Sequence, residues 1–467
     1  SFTSDYFGAT RKLLYDENYP ELNLAYGEMK DATIESETDD RASAGYFGRI
    51  NYDYKGIYLF EFNGRYDGSS RFRSGDRWAF FPSFSLGYRF TEEPYWKNLK
   101  NMVSNGKLRF SYGEIGNEAV GSNMFLSTTT AYNVSSLGFM WLDKKGGKRN
   151  MFTRPTWVNP SLTWERIQTK NLGLDLGFLD NEFTLTAEIF ERLTKDMLAP
   201  GNAIPSAVGA NAPYTNAGEL RSRGWELTLA WRKQFKKDFG LYANFSIGDS
   251  KVKVKKWNNS KRIIGHTNDV SNAYEGETWG DIWGFETDRY FTPDDFTSKN
   301  PDGSWNYKSG IADQKGIQTG NFVYGPGDIK FKDLNGDGKI DGGKGTLEDH
   351  GDIKVIGNVL PRYEYSFRVG GSWKGFDIDA FFQGVGKRDM WTISAFNFPL
   401  MIGHDLTLYK NQTKYNVYDP ANGVVNISEN NDYPCLWPGN STAGNVTALA
   451  EAGGSHNYYP QSKYLVN

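Results

Sequence analysis

A single cysteine, Cys435, stands in 467 residues, so no internal disulfide framework staples the chain, and a packed or surface-loop thiol is the expectation for it. Histidine is nearly as scarce. His266, His350, His404 and His456 share no close spacing of the kind a zinc site uses. No window approaches the roughly 18 consecutive apolar residues of a membrane-spanning helix, which excludes a helical membrane protein. Charge of one sign is also lacking: the formal net charge of -3 and a pI near 6.0 give no reason to expect nucleic acid as a partner. The chain opens on SFTSDYFG with neither a basic region nor an apolar run, which leaves two readings, a cytoplasmic chain or a sequence whose true beginning lies elsewhere. Pro-rich linkers, heptad arrays and low-complexity tracts are missing too, so no domain boundary is expected.

What is present is ring content. Aromatic residues make up 16% of the chain and glycine numbers 52, while apolar residues total only 38%. A soluble protein of this length needs a thick aliphatic core, whereas large rings spread among polar residues suit a β-surface that is apolar on one face. The mean hydropathy of -0.61 does not exclude a membrane barrel, because only alternate residues of such a barrel meet lipid.

The rings fall at period two. In YFGRINYDY, residues 46 to 54, Tyr46, Ile50, Tyr52 and Tyr54 share one face, and Arg49, Asn51 and Asp53 the other. After Lys55-Gly56 the scheme repeats, with Tyr58, Phe60, Phe62 and Tyr66 opposing Glu61, Asn63, Arg65 and Asp67. It returns through Phe84 to Phe90, Leu108 to Tyr112, Leu172 to Phe178, Phe183 to Ile189, Trp225 to Trp231, Leu241 to Ile247, Tyr363 to Trp373 and Phe376 to Phe382. Most of these arms are of the bilayer-crossing class of about 9 to 11 residues, longer than the soluble average of about 5 to 6. A soluble propeller or sandwich shares the pattern, so it stays open at this point.

Connections alternate in length. Those at Lys55-Gly56, Asp180-Asn181, Gln234 to Lys237 and Lys374-Gly375 are tight, and those at Asp67 to Asp76, Pro200 to Glu219, Lys251 to Glu277 and from Lys387 onward are long. Outer-membrane barrels turn tightly in the periplasm and loop widely outside. This parity sends the strand entering Lys374-Gly375 downward and places the segment before it outside. The last eighty or so residues lose the alternation and read as loop.

That external segment contains DLNGDGKID, Asp333 to Asp341, which has the spacing of a calcium loop. Asp333, Asn335, Asp337, Lys339 (by its carbonyl) and Asp341 fill the odd positions, and Gly338 supplies the sharp turn. Position 12 is Lys344, which cannot coordinate, so strength depends on Glu348, Asp349 or Asp352 reaching back. Two readings stand: a structural Ca2+ site, or a turn of Asp, Asn and Gly with solvated carboxylates.

Several blocks, in order, resemble the SusC/RagA-like TonB-dependent outer-membrane transporters of Bacteroidetes. They are RASAGYFGRINYDYKGIYLFEFNGRYDGSSRF, RWAFFPSFSLGYRF, KLRFSYGEIGNE, NPSLTWERIQTKNLGLDLGFLDNEFTLTAEIFERLTKDML, NAGELRSRGWELTL, GDIKFKDLNGDGKID and PRYEYSFRVGGSWKGFDIDAFFQG. They cover most of residues 41 to 391, and the loop Gly342 to Asp352 is longer than the family pattern. The resemblance implies an all-β fold, a large antiparallel transmembrane β-barrel of about 22 strands, closed by an N-terminal plug. About twelve to fourteen strand candidates cannot complete it, so residues 1 to 467 are expected to be the C-terminal barrel portion, without plug or closing strands.

The function implied is import of glycan fragments or oligopeptides across the bacterial outer membrane as a multi-pass protein. TonB, acting through the missing N-terminal region, supplies the energy, and a SusD-like surface lipoprotein, outer-membrane lipid and the oligosaccharide or peptide substrate are the partners. External rings that could stack on substrate are Trp279, Trp283, Tyr290, Trp305, Tyr307, Tyr324 and Trp391, with girdle anchoring or loop packing as their plain alternative. No organic cofactor and no catalysis are expected: Glu114 with Glu118 and Asp377 with Asp379 fit ordinary lumen or loop groups, and SGDR and GEIGNEAVG lack a phosphate-loop context. The rival is a secreted, calcium-stabilised β-protein that binds glycans without transporting them. It requires the alternating rings to be buried in a core; the barrel requires them on an exposed apolar band.

Overall fold

Period-two alternation becomes ten long strands in the computed structural model, which describes residues 41–118, 120–121, 124–127, 129, 155–201, 204–205, 207, 212–264, 272–318, 322–391, 410–436 and 460–466, together with strand backbone at 2–10, 13–14, 25–26, 33–40, 131–132 and 151–152. They are β1 (Ser43–Tyr54), β2 (Tyr58–Ser69), β3 (Trp78–Tyr88), β4 (Val103–Asn117), β5 (Glu165–Phe178), β6 (Phe183–Ala199), β7 (Thr215–Lys236), β8 (Phe239–Lys256), β9 (Arg362–Trp373) and β10 (Phe376–Lys387). Hydrogen-bonding order follows chain order from β1 to β10, antiparallel in every pair whose register is described. The shortest has 11 residues and the longest 22. The expected twelve to fourteen strands are therefore ten in this sheet. A separate antiparallel pair, Phe2–Thr10 with Thr33–Arg41, has nine residues in each arm, which brings the long strands to twelve, and the remaining β-segments of the described chain are short and pair among themselves.

The chain divides into two compact units. In the first unit, register lines up Ile50, Phe62, Phe84 and Tyr112 across β1 to β4, with Tyr52, Phe60, Leu86 and Phe110 in the next row. In the second, Phe245, Phe367 and Phe382 lie opposite one another across β8 to β10, and Phe239, Trp373 and Phe376 end the same face. Cross-strand ring pairs of this kind are the local unit of sheet stability.

These rings are not a core. Tyr46, Phe376 and Ile378 are 71%, 72% and 75% exposed, and others of the face, such as Phe62, Phe84 and Phe245, are half-buried by their neighbours in the sheet. Apolar surface this extensive does not persist against water on a monomer, whereas against lipid it costs nothing to expose. Rings also bracket the band. Tyr58 stacks on Tyr88 at 5.3 Å beside the tight turn, and Trp78 stacks on Tyr66 at 5.1 Å and Tyr46 at 6.0 Å towards the other end. Tyr46 to Tyr54 spans eight residue steps of β1, roughly 27 Å along the strand. At a tilt of about 35–45° this is roughly 20 Å of height, close to the apolar band of an outer-membrane barrel. The soluble rival needed these rings covered, and they are bare.

The tight turns at Lys55-Gly56 and Lys374-Gly375 are made as the sequence suggests, whereas the one expected at Gln234 to Lys237 lies at Lys237-Asp238, because the strand before it continues to Lys236. Lys55 and Gly56 have φ of 58° and 65°, and Lys374 and Gly375 have 49° and 89°, both positive as a two-residue hairpin turn with the twist of the strands demands. Glycine at the second position removes the Cβ penalty there.

The long connection between β8 and β9 is not an open loop. The described residues of 257–361 fold into a module in the second unit around Tyr274, Trp283, Phe285, Tyr290, Phe291, Phe296, Tyr324, Ile329, Phe331, Ile340 and Ile353, all buried. Three antiparallel ladders frame it: Asp281–Phe285 with Ile353–Asn358, Thr287–Tyr290 with Ile329–Phe331, and Phe296–Lys299 with Trp305–Tyr307. Gln314, fully buried, acts as a third ladder partner, donating Nε2–H to Ile329 O at 3.0 Å and accepting Phe331 N–H at 2.6 Å. The loop-like expectation for the chain's end falls partly on residues 392–409 and 437–459, outside the described residues. Residues 410–436 and 460–466 instead carry the hairpin Val417–Asp419 with Val424–Asn426 and bring Ile427 and Tyr464 against the module core.

Candidate functional site

Two surfaces of the second unit carry the chemistry. One is the polar face of β7 to β10, opposite the ring face, and the other is the module above β8 and β9.

On the polar face Tyr242, Gly370 and Asp379 lie opposite one another across β8, β9 and β10. Tyr242 donates its hydroxyl to Asp379 over the top of Gly370, where any Cβ would sit 2.4 Å from the tyrosine oxygen. Arg368 donates Nε–H to the same carboxylate at 2.8 Å. Nearer the external end Arg362 grips Asp249 through Nε and Nη2, each at 2.5 Å. A cleft of about 630 Å³ lies beside Asp249, lined by Glu226, Thr228, Ser246, Glu364, Ser366 and Gln383 together with Phe190, Trp225, Leu227, Ile247, Tyr365 and Val385. Thr228 and Ser246 share a hydrogen bond of 3.0 Å, while hydroxyls, an amide and carboxylates together offer both donors and acceptors. The lining as a whole combines ring and aliphatic surface with these hydrogen-bonding groups. These lumen-side residues were not among the sequence candidates, although the parity that set the rings on one face already set them on the other.

The candidate rings meet different fates. Trp283, Tyr290 and Tyr324 are core residues of the module, Tyr290 and Tyr324 at 1% and 0% exposure. A ring covered on both faces has none left for a substrate, so the plain alternative, packing, accounts for these three. Tyr307 packs between Phe291 and Phe296 at 5.8 and 5.2 Å. Trp305 is half-buried, tilted at 5.2 Å against Phe296 with Lys299 Nζ 5.5 Å from its ring centre. Trp279 is half-buried beside Trp257 at 6.1 Å, and Trp391 is half-buried just after the isolated bridge of Met390 with Val466. Trp279, Trp305 and Trp391 therefore remain as partly open rings, and the structure does not bring them into one cluster.

In the loop Asp333 to Asp341 the side-chain oxygens turn inward on the loop's own backbone. Asp333 accepts the N–H of Gly336 at 2.6 Å and of Gly338 at 2.9 Å, Asn335 that of Asp337 at 3.0 Å, Asp337 that of Lys339 at 2.8 Å, and Asp341 that of Gly343 at 2.7 Å. Among the described residues no three His, Cys, Asp or Glu side chains gather as metal ligands do. Lys344 pairs outward with Asp349 at 3.0 Å. The donor set as folded thus fits the turn reading and not a calcium cage, because its acceptors are spent on N–H groups around the loop instead of converging on one point. Cys435 is buried with its thiol directed to Pro326 O at 3.6 Å, and burial pushes that thiol up from its ordinary range.

Electrostatics in the module divide into satisfied and unsatisfied charge. Burial alone would raise the Asp295 carboxyl, but the Arg289 fork at 2.5 and 2.6 Å and the Thr292 N–H at 2.8 Å outweigh it and hold the group below its ordinary value. Glu286 is held low by Lys332 and Lys354, both hydrogen-bonded to it. Glu277 has no such cation. Burial pushes it up to about 7, against the single Tyr274 N–H it accepts at 3.1 Å, with neighbouring Asp281 adding to the rise.

A long antiparallel wall with an exposed ring band, an ion-paired opposite face and a folded module between β8 and β9 defines a part of a large transmembrane β-barrel. The family model described as "TonB dependent receptor-like, beta-barrel" matches residues 1–311, and the chain belongs to that family. This is a family of receptors and transporters of the outer membrane, and the chain is a portion of an outer-membrane barrel. TonB-dependent receptor P3 of Formosa agariphila is 28% identical over 385 residues, covering 81% of this chain and 35% of that protein. TonB-dependent receptor SusC of Bacteroides thetaiotaomicron is 33% identical over 226 residues, covering 47% and 22%. Among solved structures, the RagAB peptide transporter superposes with a TM-score of 0.61 at 22% identity, covering 83% of this chain and 38% of that one. The resemblance read from the sequence blocks is thereby met. The chain spans little more than a third of the length of the first curated relatives it matches.

Proposed function

We propose that this chain supplies barrel wall and external loops to an importer that moves glycan fragments or oligopeptides across the outer membrane. TonB energises it through a plug outside the described residues, and a SusD-like surface lipoprotein is its partner. The observation that carries this reading is the two-faced sheet: rings exposed on one side, and on the other an ion-paired polar surface, with a cleft of about 630 Å³ lined by both polar and apolar side chains. A barrel built only for anchoring has no use for the second.

Catalysis is not part of the proposal. Glu114 is engaged by Tyr112, Arg166 and Gln168, and Asp379 by Tyr242 and Arg368, which leaves neither carboxylate poised as a general acid or base. Deleting the gene and measuring uptake of defined oligosaccharides and oligopeptides is the test. Loss of uptake of one class is expected, and uptake of every oligomer persisting would overturn import. Separately, the full-length protein in detergent is expected to migrate faster unheated than boiled, and absence of that shift would overturn the barrel.

A further inference from the structure

Segment 460–466 is strapped to the external module. Pro460 O accepts the Phe285 N–H at 2.8 Å, Tyr464 stacks on Tyr433 at 6.1 Å, and its hydroxyl donates to Asp432 O at 3.0 Å. The strap seats Lys463 in a pocket of about 240 Å³ beside Thr287, Asp288, Arg289, Tyr290, Glu429 and Ser462.

Most charge in this pocket is already matched. Arg289 is committed to Asp295, and Asp288 lies 2.8 Å from Lys330. One oxygen of Glu429 accepts the Tyr290 N–H at 3.0 Å. Lys463 differs: its ammonium is half-buried 4.7 Å from the centre of the Tyr290 ring, with no carboxylate of the described residues at ion-pair distance. Burial lowers its basicity, with Glu429 and Asp432 only partly restoring it from farther off. A half-buried cation over a ring, with open volume beside it and no carboxylate at ion-pair distance among the described residues, has room for an added anion.

We propose that this pocket binds the carboxylate-bearing terminal residue of an oligomer, with Lys463 Nζ donating to the carboxylate and the second oxygen of Glu429 accepting from a neighbouring O–H or N–H of the same residue. The volume is below the roughly 300–1,000 Å³ of sites that enclose whole small ligands, so it takes one residue and leaves the remainder outside. A uronate and a free peptide C-terminus share this chemistry, since each sets a carboxylate beside a hydrogen-bond donor. The inference rests on the reading of the module as the external, substrate-facing side of an importer.

Calorimetric titration of the full-length detergent-solubilised protein tests it with two matched pairs: trialanine against its C-terminal amide, and digalacturonate against its methyl ester. One acid is expected to bind about ten-fold or more tightly than its neutral counterpart, and which pair responds identifies the source. Lys463→Met is expected to abolish the preference and Lys463→Arg to retain it. Glu429→Gln, which keeps an oxygen for the Tyr290 N–H, is expected to widen it by removing a negative charge. Equal binding of acid and neutral forms, or a preference that survives Lys463→Met, overturns the proposal. Uptake of an uncharged oligomer separates the two readings: if it is lost on gene deletion while no acid preference exists, import stands and the pocket falls.

Discussion

Asp352 Oδ2 accepts the backbone N–H of Asp341 at 2.9 Å, closing the loop that begins at Asp333 from a position 11 residues beyond the bond it makes. Its other oxygen takes the N–H of Leu334 at 2.7 Å, so one carboxylate, 0% exposed, spans both ends of the loop. Burial raises this carboxyl above its ordinary value, and the N–H groups partly offset that. Asp352→Ala leaves two inward N–H groups without acceptors, at about 1–3 kcal/mol each. Hydrogen exchange at Leu334 and Asp341 is expected to accelerate in the variant, and a chelator is expected to leave wild-type exchange unchanged. Slower exchange on adding calcium would restore the metal reading.

Glu277 makes the module's stability depend on pH. Its carboxyl is raised to about 7 from an ordinary 4.5, so the stability it confers is fully present below pH 4.5 and is lost as pH rises through about 7. Because the group is only partly buried, solvent screening cuts the effect to about 1–2 kcal/mol. Protection of amides near Tyr274, corrected for intrinsic rates, is expected to fall between pH 5 and 8. Glu277→Gln is expected to flatten that profile and to be the more stable protein at pH 8.

Breaking the Arg289–Asp295 fork strands a half-buried guanidinium. Asp295→Ala is expected to cost about 3–5 kcal/mol of module stability, the penalty for removing one partner of a buried pair. Limited proteolysis within residues 287–307 should become faster, while heat-modifiable migration of the barrel stays. Unchanged proteolysis would mean that Tyr290, Phe291 and Phe296 hold the segment without the fork.

Parity on β9 makes neighbours unequal. Phe367→Arg, on the ring face between Phe245 and Phe382, is expected to destabilise the folded barrel by about 2–4 kcal/mol in lipid. Ser366→Arg faces the polar side and is expected to cost less than about 1 kcal/mol. Urea unfolding in liposomes measures both, and equal losses would reverse or erase the assignment of faces.

Much of the wall was legible because it is local. Tyr58, Phe60 and Phe62 alternate with Leu59, Glu61 and Asn63 as any strand between lipid and water must, and Lys55-Gly56 and Lys374-Gly375 announce hairpins through residues that accept positive φ. The module was less so. Its rings have the same composition as surface rings on an open loop, and its strands, such as Thr287–Tyr290, are too short for a period to show. A denser run of rings and turn-formers after Trp279 was the one available signal, and it does not say which rings are inside.

Sequence by itself determined the class of surface each strand presents, the side on which its turns lie, and the family, because alternation, turn chemistry and block order are properties of neighbouring residues. Tertiary structure alone decided that Tyr290 and Tyr324 are core, that Asp352 bridges the loop ends, and that Lys463 stands over Tyr290. Those facts depend on segments far apart in the chain meeting in space, and whether a ring or a charge is covered is settled only by what folds back onto it.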